Sequence, residues 1–144
     1  MDKYDSLKLE NQICFPLYAA AKEIVRKYTP ILEELNLTYT QYIAMLVLWE
    51  KEEVSVKELG EKLYLDSGTL TPVVKSLEQK GFVTRKRASS DERVLLVRLT
   101  EKGTALKEKA LSIPQKISSS CVALSPEEAA VLYKLLYKIL GDEK

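Results

Sequence analysis

The fold is decided by residues 55–99, which read SVKELGEKLYLDSGTLTPVVKSLEQKGFVTRKRASSDERVLLVRL. A hydroxyl at Ser55 with an acid three positions later fits a capping box, which predicts the start of a short helix. A second helix follows and is expected to end at Gly81, because glycine favours the left-handed C-terminal turn. The pattern then changes to two β-rich runs, residues 82–87 and 94–99, around a polar loop. Helix, tight turn, helix and hairpin together predict a winged helix-turn-helix.

The second helix of this unit has two candidate starts. Thr71 as the N-cap places Pro72 in the first helical position, where a proline loses nothing, and this start satisfies the local rules best. An earlier cap at Asp66 costs one backbone hydrogen bond at Pro72, because proline has no N–H to donate. With either start, Val73 and Leu77 lie on the buried side of the helix.

Amphipathic helices precede this unit. The first is predicted over about 7–35, and Pro16 is either a first-turn proline of this helix or the site of a kink. Thr38 with a glutamine three positions later is a further capping box, which predicts a helix to about Trp49. The charged stretch 50–53 is then expected to form a turn.

Two more helices are predicted after the hairpin. One runs from Thr100 to Cys121 with a bend at Pro114, and the last is capped by Ser125 and closed by Gly141. A single winged helix cannot bury all the apolar stripes of the outer helices, so a symmetric homodimer is expected. The predicted fold is mainly α with a small β-hairpin wing, in one domain over 1–144 with a winged helix-turn-helix at about 38–99 and dimerisation helices at about 7–35 and 101–141.

Composition excludes several classes of function. The chain has 22 Lys and Arg against 21 Asp and Glu, so any basic surface must be local. It contains no His, which excludes His-based triads and His metal sites. Cys14 and Cys121 form neither a CxxC pair nor a zinc-ligand spacing, and we expect no metal or cofactor. Because neither a leader nor a long apolar run is seen, we expect a cytoplasmic protein without membrane contact.

Basic charge is concentrated around the hairpin. Six basic and two acidic residues lie between Lys80 and Arg98, and such a concentration suits the neutralisation of phosphates. Arg93 either enters a narrow minor groove or pairs with Asp91 to shape the loop, and both can hold together. In a dimer, two recognition helices would read an inverted repeat. The residues predicted to contact double-stranded DNA are Ser67, Thr69, Thr71, Pro72, Lys75, Arg85, Lys86, Arg87, Asp91 and Arg93.

Several segments resemble a known family. The order of elements and the segments 56–63 (VKELGEKL), 91–93 (DER) and 99–103 (LTEKG) resemble the MarR family of transcriptional regulators. The segments 9–15 (LENQICF), 37–42 (LTYTQY) and 64–72 (YLDSGTLTP) resemble its organic-hydroperoxide-sensing group, and this resemblance extends over nearly the whole chain. This resemblance implies a homodimeric repressor of peroxide-defence genes that oxidation by an organic hydroperoxide inactivates.

The resemblance also implies roles for individual residues. Cys14 matches the reactive cysteine, and Tyr28 and Tyr39 match tyrosines of the partner subunit that hydrogen-bond its sulfur and favour the thiolate. Peroxide attack gives a sulfenic acid, which condenses with another thiol. That thiol is either Cys121 across the dimer or a small cellular thiol that forms a mixed disulfide. Pro16 departs from the group's pattern, in which a residue without a ring is usual.

Three other functions compete with this interpretation. A regulator of the same family could be released by a small aromatic ligand bound among Tyr18, Tyr28, Tyr39 and Tyr42, rather than by thiol oxidation. A thiol peroxidase is disfavoured because neither a CxxC motif nor a neighbouring Arg accompanies Cys14, and we expect no enzyme. A winged-helix docking module would bind other proteins and would show no salt-dependent DNA binding.

Overall fold

The computed structural model describes residues 2–121 and 123–142, except for the side chains of 120 and 121. The helices are α1 (Cys14–Glu33), α2 (Tyr39–Lys51), α3 (Val56–Leu63), α4 (Ser67–Gln79), α5 (Glu101–Ala110), α6 (Ile113–Cys121) and α7 (Pro126–Ile139). The strands are β1 (Glu53–Ser55), β2 (Val83–Arg87) and β3 (Leu95–Leu99). The predicted fold class, mainly helical with a small hairpin wing, is therefore confirmed.

The hydrophobic core lies where α2, α3 and α4 meet the sheet and α5. Its fully buried side chains include Met45, Leu48, Leu59, Leu77 and Val97. Each such side chain contributes about 1.5–3 kcal/mol through removal from water. By contrast, α1 buries only Leu32 near its C-terminal end, and α7 buries none of its residues. The winged unit thus has its own core, whereas the outer helices leave apolar side chains exposed.

Helix α1 begins at Cys14, later than the predicted 7–35 helix. The preceding residues form two short 3₁₀ turns instead, because the Asn11 and Gln12 side chains donate to backbone carbonyl oxygens at 2.7 Å and so compete with helix formation. Pro16 lies in the first turn of α1, where a backbone N–H has no acceptor within the helix, so the N–H that proline lacks is not missed. Of the two interpretations of Pro16, the first-turn proline is the one observed.

Helix α4 begins at the start that the local rules disfavour. Asp66 is the N-cap, and its carboxylate accepts a hydrogen bond from the Thr69 backbone N–H at 2.7 Å. Hydrogen bonds from Thr69 lower the pKa of Asp66, so it caps the helix as an anion. The preferred start at Thr71 is wrong: Pro72 lies inside α4 and forgoes one backbone bond, while the Thr71 hydroxyl bonds the Ser67 carbonyl oxygen at 2.7 Å.

The hairpin is confirmed, but the sheet contains a third strand that the sequence did not predict. The strand order is β1-β3-β2, and both pairings are antiparallel. The expected turn at 50–53 is shorter than predicted, because Glu52 takes a positive φ of 65° and residue 53 already begins β1. Val54 in the middle of β1 is buried opposite Val97, so this short strand closes the edge of the wing.

The predicted helix over 100–121 is two helices. α5 ends at Ala110 and α6 begins at Ile113, so Pro114 lies in the first turn of a new helix rather than at a bend. Proline has no N–H to donate to the Ala110 carbonyl oxygen, so a continuous helix would lose that hydrogen bond. A new helix that begins at Ile113 does not need it. α7 begins at the predicted Ser125 capping box, with both reciprocal hydrogen bonds formed. Within the described residues, no helix is both long and apolar enough to cross a membrane.

Candidate functional site

The N-terminal half of α4 presents short polar side chains to solvent. Ser67, Thr69, Pro72 and Lys75 are exposed, whereas the apolar residues on the opposite side of the helix are buried. Thr71 is partly buried, and its hydroxyl is occupied by the bond to the Ser67 carbonyl oxygen. Four of the five residues predicted in this helix are therefore open to contact by another molecule.

The loop between β2 and β3 orders its own tip. The Asp91 carboxylate accepts hydrogen bonds from the Arg93 backbone N–H at 3.0 Å and from its guanidinium group at 3.1 Å. Hydrogen bonds from Arg93 lower the pKa of Asp91 and keep it ionised. The Arg93 side chain nevertheless remains 90% exposed. The pairing expected of these two residues is present, and it holds a positive group at the tip of the wing.

Lys86 and Arg87 add exposed positive charge to the same hairpin. Both lie near the end of β2 with their side chains in solvent. Neither side chain forms a hydrogen bond or an ion pair with any part of the chain that the structure describes. These two residues therefore have their full charge available for an external anion.

Two other basic residues of this region form ion pairs within the protein instead. Arg85 donates to the Glu78 carboxylate from Nε, Nη2 and its backbone N–H, over 3.0 to 3.2 Å. The Arg85 guanidinium lowers the pKa of Glu78, so this ion pair joins β2 to α4. Arg98 lies 3.7 Å from Glu53. The local positive field is therefore weaker than a count of basic residues indicates. The sequence carries no signal for the pairing of Glu78 with Arg85, because one lies on a helix and the other on a strand and no periodicity links them.

Cys14 lies exposed at the start of α1 and is not bonded to another cysteine. Tyr28 lies on the same helix, about 20 Å further along the axis. Within one chain, Cys14 and Tyr28 therefore cannot meet, and any contact between them requires a second copy.

The predicted tyrosines cluster at the opposite end of α1. The rings of Tyr28 and Tyr39 are 4.8 Å apart, and Tyr42 lies 5.8 Å from Tyr28 and 6.4 Å from Tyr39, between ring centroids. Burial raises the pKa of Tyr39, and burial and the nearby Tyr39 raise that of Tyr42. Both phenols therefore remain protonated at neutral pH and can donate hydrogen bonds. Tyr18 is 61% exposed on the other half of α1 and lies outside this cluster.

The remaining predictions for the site concern Cys121 and metal ions. The side chain of Cys121 lies outside the described residues, so its pairing with Cys14 stays a prediction. Among the residues that the structure does describe, no group of three or more potential ligands is arranged to hold a metal ion.

Comparison with known proteins gives consistent relatives. The sequence profile of the SarA/Rot transcriptional regulators matches residues 26–110. The chain is 52% identical over 139 residues to the organic hydroperoxide resistance transcriptional regulator of Bacillus subtilis strain 168, covering 96% of this chain and 94% of that one.

Solved structures of DNA-binding regulators are similar to this chain as well. Reduced AbfR bound to DNA has a TM-score of 0.78 and 34% identity over 97% of both chains. AbfR with a disulfide formed has a TM-score of 0.66 and 34% identity over 96% of both chains. A mutant of MarR from E. coli in complex with operator DNA has a TM-score of 0.78 and 25% identity over 97% of this chain and 99% of that one. The chain belongs to the MarR/SarA family of winged-helix transcriptional regulators.

Proposed function

We propose that this protein is a homodimeric repressor that binds an inverted-repeat operator and is released from it when an organic hydroperoxide oxidises Cys14. One observation carries the proposal: an exposed cysteine begins α1 in a chain half identical to an organic hydroperoxide resistance regulator. Such a switch requires a surface that contacts DNA, a dimer and a reactive thiol.

In the proposed complex, α4 enters the major groove and the wing lies in an adjacent groove. Lys86 and Arg87 neutralise phosphates, and Asp91 holds Arg93 in position for a narrow minor groove. Arg85 acts indirectly, because its pairing with Glu78 fixes the angle between the wing and α4. The α4 residues proposed to contact phosphates or base edges are Ser67, Thr69, Thr71, Pro72 and Lys75.

A second copy of the chain is proposed to cover the outer helices. α7 exposes Val131, Leu132, Tyr133, Leu135 and Ile139, and α1 exposes Phe15, Leu17, Ile24 and Val25. Such contiguous apolar surfaces are unusual on a monomer and mark an interaction surface. A twofold dimer would bury them against each other and bring two copies of α4 to two half-sites.

The dimer also supplies the thiol with its partners. Cys14 and Tyr28 are too far apart within one chain, so Tyr28 and Tyr39 of the partner subunit are proposed to donate hydrogen bonds to the Cys14 sulfur. Burial keeps the Tyr39 phenol protonated, as a donor must be, because it raises the pKa of that group. Hydrogen bonds of this kind stabilise the thiolate, which is the form that attacks peroxides.

The proposed reaction oxidises one thiol and reduces one hydroperoxide. The Cys14 thiolate attacks the terminal oxygen of the hydroperoxide, the O–O bond breaks, and the departing alkoxide takes up a proton to leave as the alcohol. Cys14 is thereby oxidised to a sulfenic acid. A second thiol then forms an S–S bond with Cys14 and water leaves. Cys121 of the partner subunit is the proposed second thiol, with a small cellular thiol as the alternative.

The test measures binding of the purified protein to its own upstream DNA by fluorescence anisotropy, with and without cumene hydroperoxide. We expect the wild type to release the DNA after oxidation and Cys14→Ser to stay bound. If both proteins stay bound, the redox proposal fails and release by a small aromatic ligand becomes the better hypothesis. If both are released, the oxidant acts at another residue and the role of Cys14 is refuted.

A further inference from the structure

Gln41 joins the start of α2 to α4, the helix proposed to enter the major groove and called the recognition helix below. It is the one polar residue among the buried residues of the described chain, with 6% of its surface exposed. Its Oε1 accepts hydrogen bonds from the Thr38 backbone N–H at 3.1 Å and from Lys80 Nζ at 2.7 Å. Its Nε2 donates to Ser76 Oγ on α4 at 2.9 Å. A capping box needs only the first of these bonds, so the other two require a separate explanation.

Lys80 completes the connection from the other side. It caps the C-terminal end of α4, and its Nζ also donates to the Asn36 carbonyl oxygen at 2.6 Å, in the turn between α1 and α2. Burial lowers the pKa of Lys80, so the ammonium has given up part of its hydration for these contacts. Its own carbonyl oxygen accepts from Lys102 Nζ at 2.8 Å. Lys80 is one of the six basic residues in the segment around the hairpin, and yet its ammonium points toward internal acceptors.

This set of contacts lies next to the tyrosine cluster. Thr38 caps α2 and Tyr39 is its first residue, so the ring that packs against Tyr28 and the Gln41 amide share one helical turn. On α4, Ser76 lies about 14 Å along the helix axis from Ser67, at the opposite end from the exposed hydroxyl side chains. A shift at the start of α2 would therefore displace one end of a rigid helix and reorient its other end.

We propose that the side chains of Gln41 and Lys80 form a bridge that transmits the oxidation state of the thiol from the tyrosine cluster to the recognition helix. This inference rests on the proposed thiol switch and deepens it. When oxidation withdraws the thiolate from Tyr28 and Tyr39 of the partner subunit, the start of α2 shifts. The Gln41–Lys80 bridge moves α4 with it, so the two recognition helices no longer match their half-sites.

A purely structural role for Gln41 makes a different prediction. If the amide only stabilises the fold, its loss lowers stability and changes the DNA affinity of reduced and oxidised protein by the same factor. If it transmits the switch, its loss changes the ratio of the two affinities, because coupling is a difference between two states. The ratio of affinities therefore separates a positioning residue from a packing residue.

The experiment compares Gln41→Met with Gln41→Glu in the full-length protein. Methionine has similar length but forms none of the three hydrogen bonds. Glutamate can still accept from Thr38 and Lys80 and can accept from the Ser76 hydroxyl, which also donates. For each variant, operator affinity is measured before and after cumene hydroperoxide, and the rate of Cys14 oxidation is measured in parallel. Ser76→Ala is a milder second variant, in case Gln41→Met folds poorly.

We expect Gln41→Met to reduce the ratio of reduced to oxidised affinity at least tenfold, while Cys14 is oxidised at a rate within twofold of wild type. Ser76→Ala should shift the ratio in the same direction, and Gln41→Glu should keep it. A ratio unchanged in both Gln41→Met and Ser76→Ala would overturn the inference. If the wild type itself keeps its DNA after Cys14 is oxidised, the proposed function fails and this inference with it.

Discussion

Replacing Gly103 with alanine tests how closely α5 is held against the winged unit. A Cβ at this position would lie 2.1 Å from the Phe82 carbonyl oxygen, 3.0 Å from its carbonyl carbon and 3.1 Å from Leu99 Cδ2. Carbon atoms do not approach a backbone oxygen to 2.1 Å. The two backbone segments must therefore move apart by about 1 Å before an alanine fits.

That movement breaks several hydrogen bonds at once. The Phe82 oxygen accepts from the Thr100 N–H at 3.1 Å, and the Gly103 N–H donates to the Thr100 hydroxyl at 3.0 Å. The buried Trp49 indole donates to the Gly103 carbonyl oxygen at 2.9 Å. Overpacking costs about 1–3 kcal/mol, and each buried group left unsatisfied costs a similar amount. Since these contributions overlap, we expect the free energy of unfolding to fall by about 3–5 kcal/mol.

The assay is urea unfolding at a fixed protein concentration, followed by the fluorescence of Trp49, the single tryptophan of the chain. Gly68→Ala is the matched control. A Cβ there would meet only Asp66 Oδ1, at 3.4 Å, and alanine favours helix over glycine by up to about 1 kcal/mol. The control should be as stable as wild type or more so. If Gly103→Ala lowers the free energy of unfolding by less than about 1 kcal/mol, the close approach of Gly103 to the Phe82 carbonyl is refuted.

Three further predictions concern charge and pH. Arg87→Gln should weaken operator binding and reduce the slope of log K against log salt by about 0.9 for each phosphate that is no longer neutralised, whereas Lys109→Gln on α5 should leave the slope unchanged; equal slopes for both variants would argue against phosphate binding by the wing. The pKa of Glu78 is lowered from 4.5 by Arg85, so this pair stabilises the fold above pH 4.5 and stops doing so as pH falls through the lower folded value. Glu78→Gln should therefore flatten the acid limb of stability against pH, and an unchanged limb would contradict the pairing. The Tyr64 hydroxyl donates a hydrogen bond to the Asp142 carboxylate, which raises the pKa of Tyr64 to about 12. The stability that this bond contributes is therefore lost as pH rises from 10 toward 12. The difference in absorbance at 295 nm between wild type and Tyr64→Phe should have its midpoint near pH 12, and a midpoint near 10 would exclude the bond.

Local signals predicted the helices and the wing because those signals act within a few residues. The capping boxes at Thr38 and Ser125 lie where expected, since each satisfies its own helix terminus. The same local rules predicted the wrong start for α4. Thr71 with Pro72 is the better local cap, but starting at Asp66 adds an extra turn to the helix and buries Leu70 completely. Tertiary burial outweighs one backbone hydrogen bond at the proline.

Contacts between distant elements gave no local signal. The strand at Glu53–Ser55 is too short and too polar to show a β pattern, and it forms because β3 offers a free edge. Lys80 belongs to a basic segment by sequence and yet turns inward, because a carbonyl oxygen from the α1–α2 turn lies within reach. The candidate thiol site was identified by resemblance to a family. Its geometry within one chain adds that Cys14 and Tyr28 can meet only across a dimer.

The central claim is tested most directly by titrating the operator-bound protein with cumene hydroperoxide and recording DNA release and the mass of the Cys14 peptide together. The account predicts that release is complete at about one hydroperoxide per subunit and follows the oxidation of Cys14 in step. Full oxidation of Cys14 with the DNA still bound would contradict it. So would continued consumption of many hydroperoxides per subunit with a thiol reductant present, which would indicate an enzyme rather than a sensor.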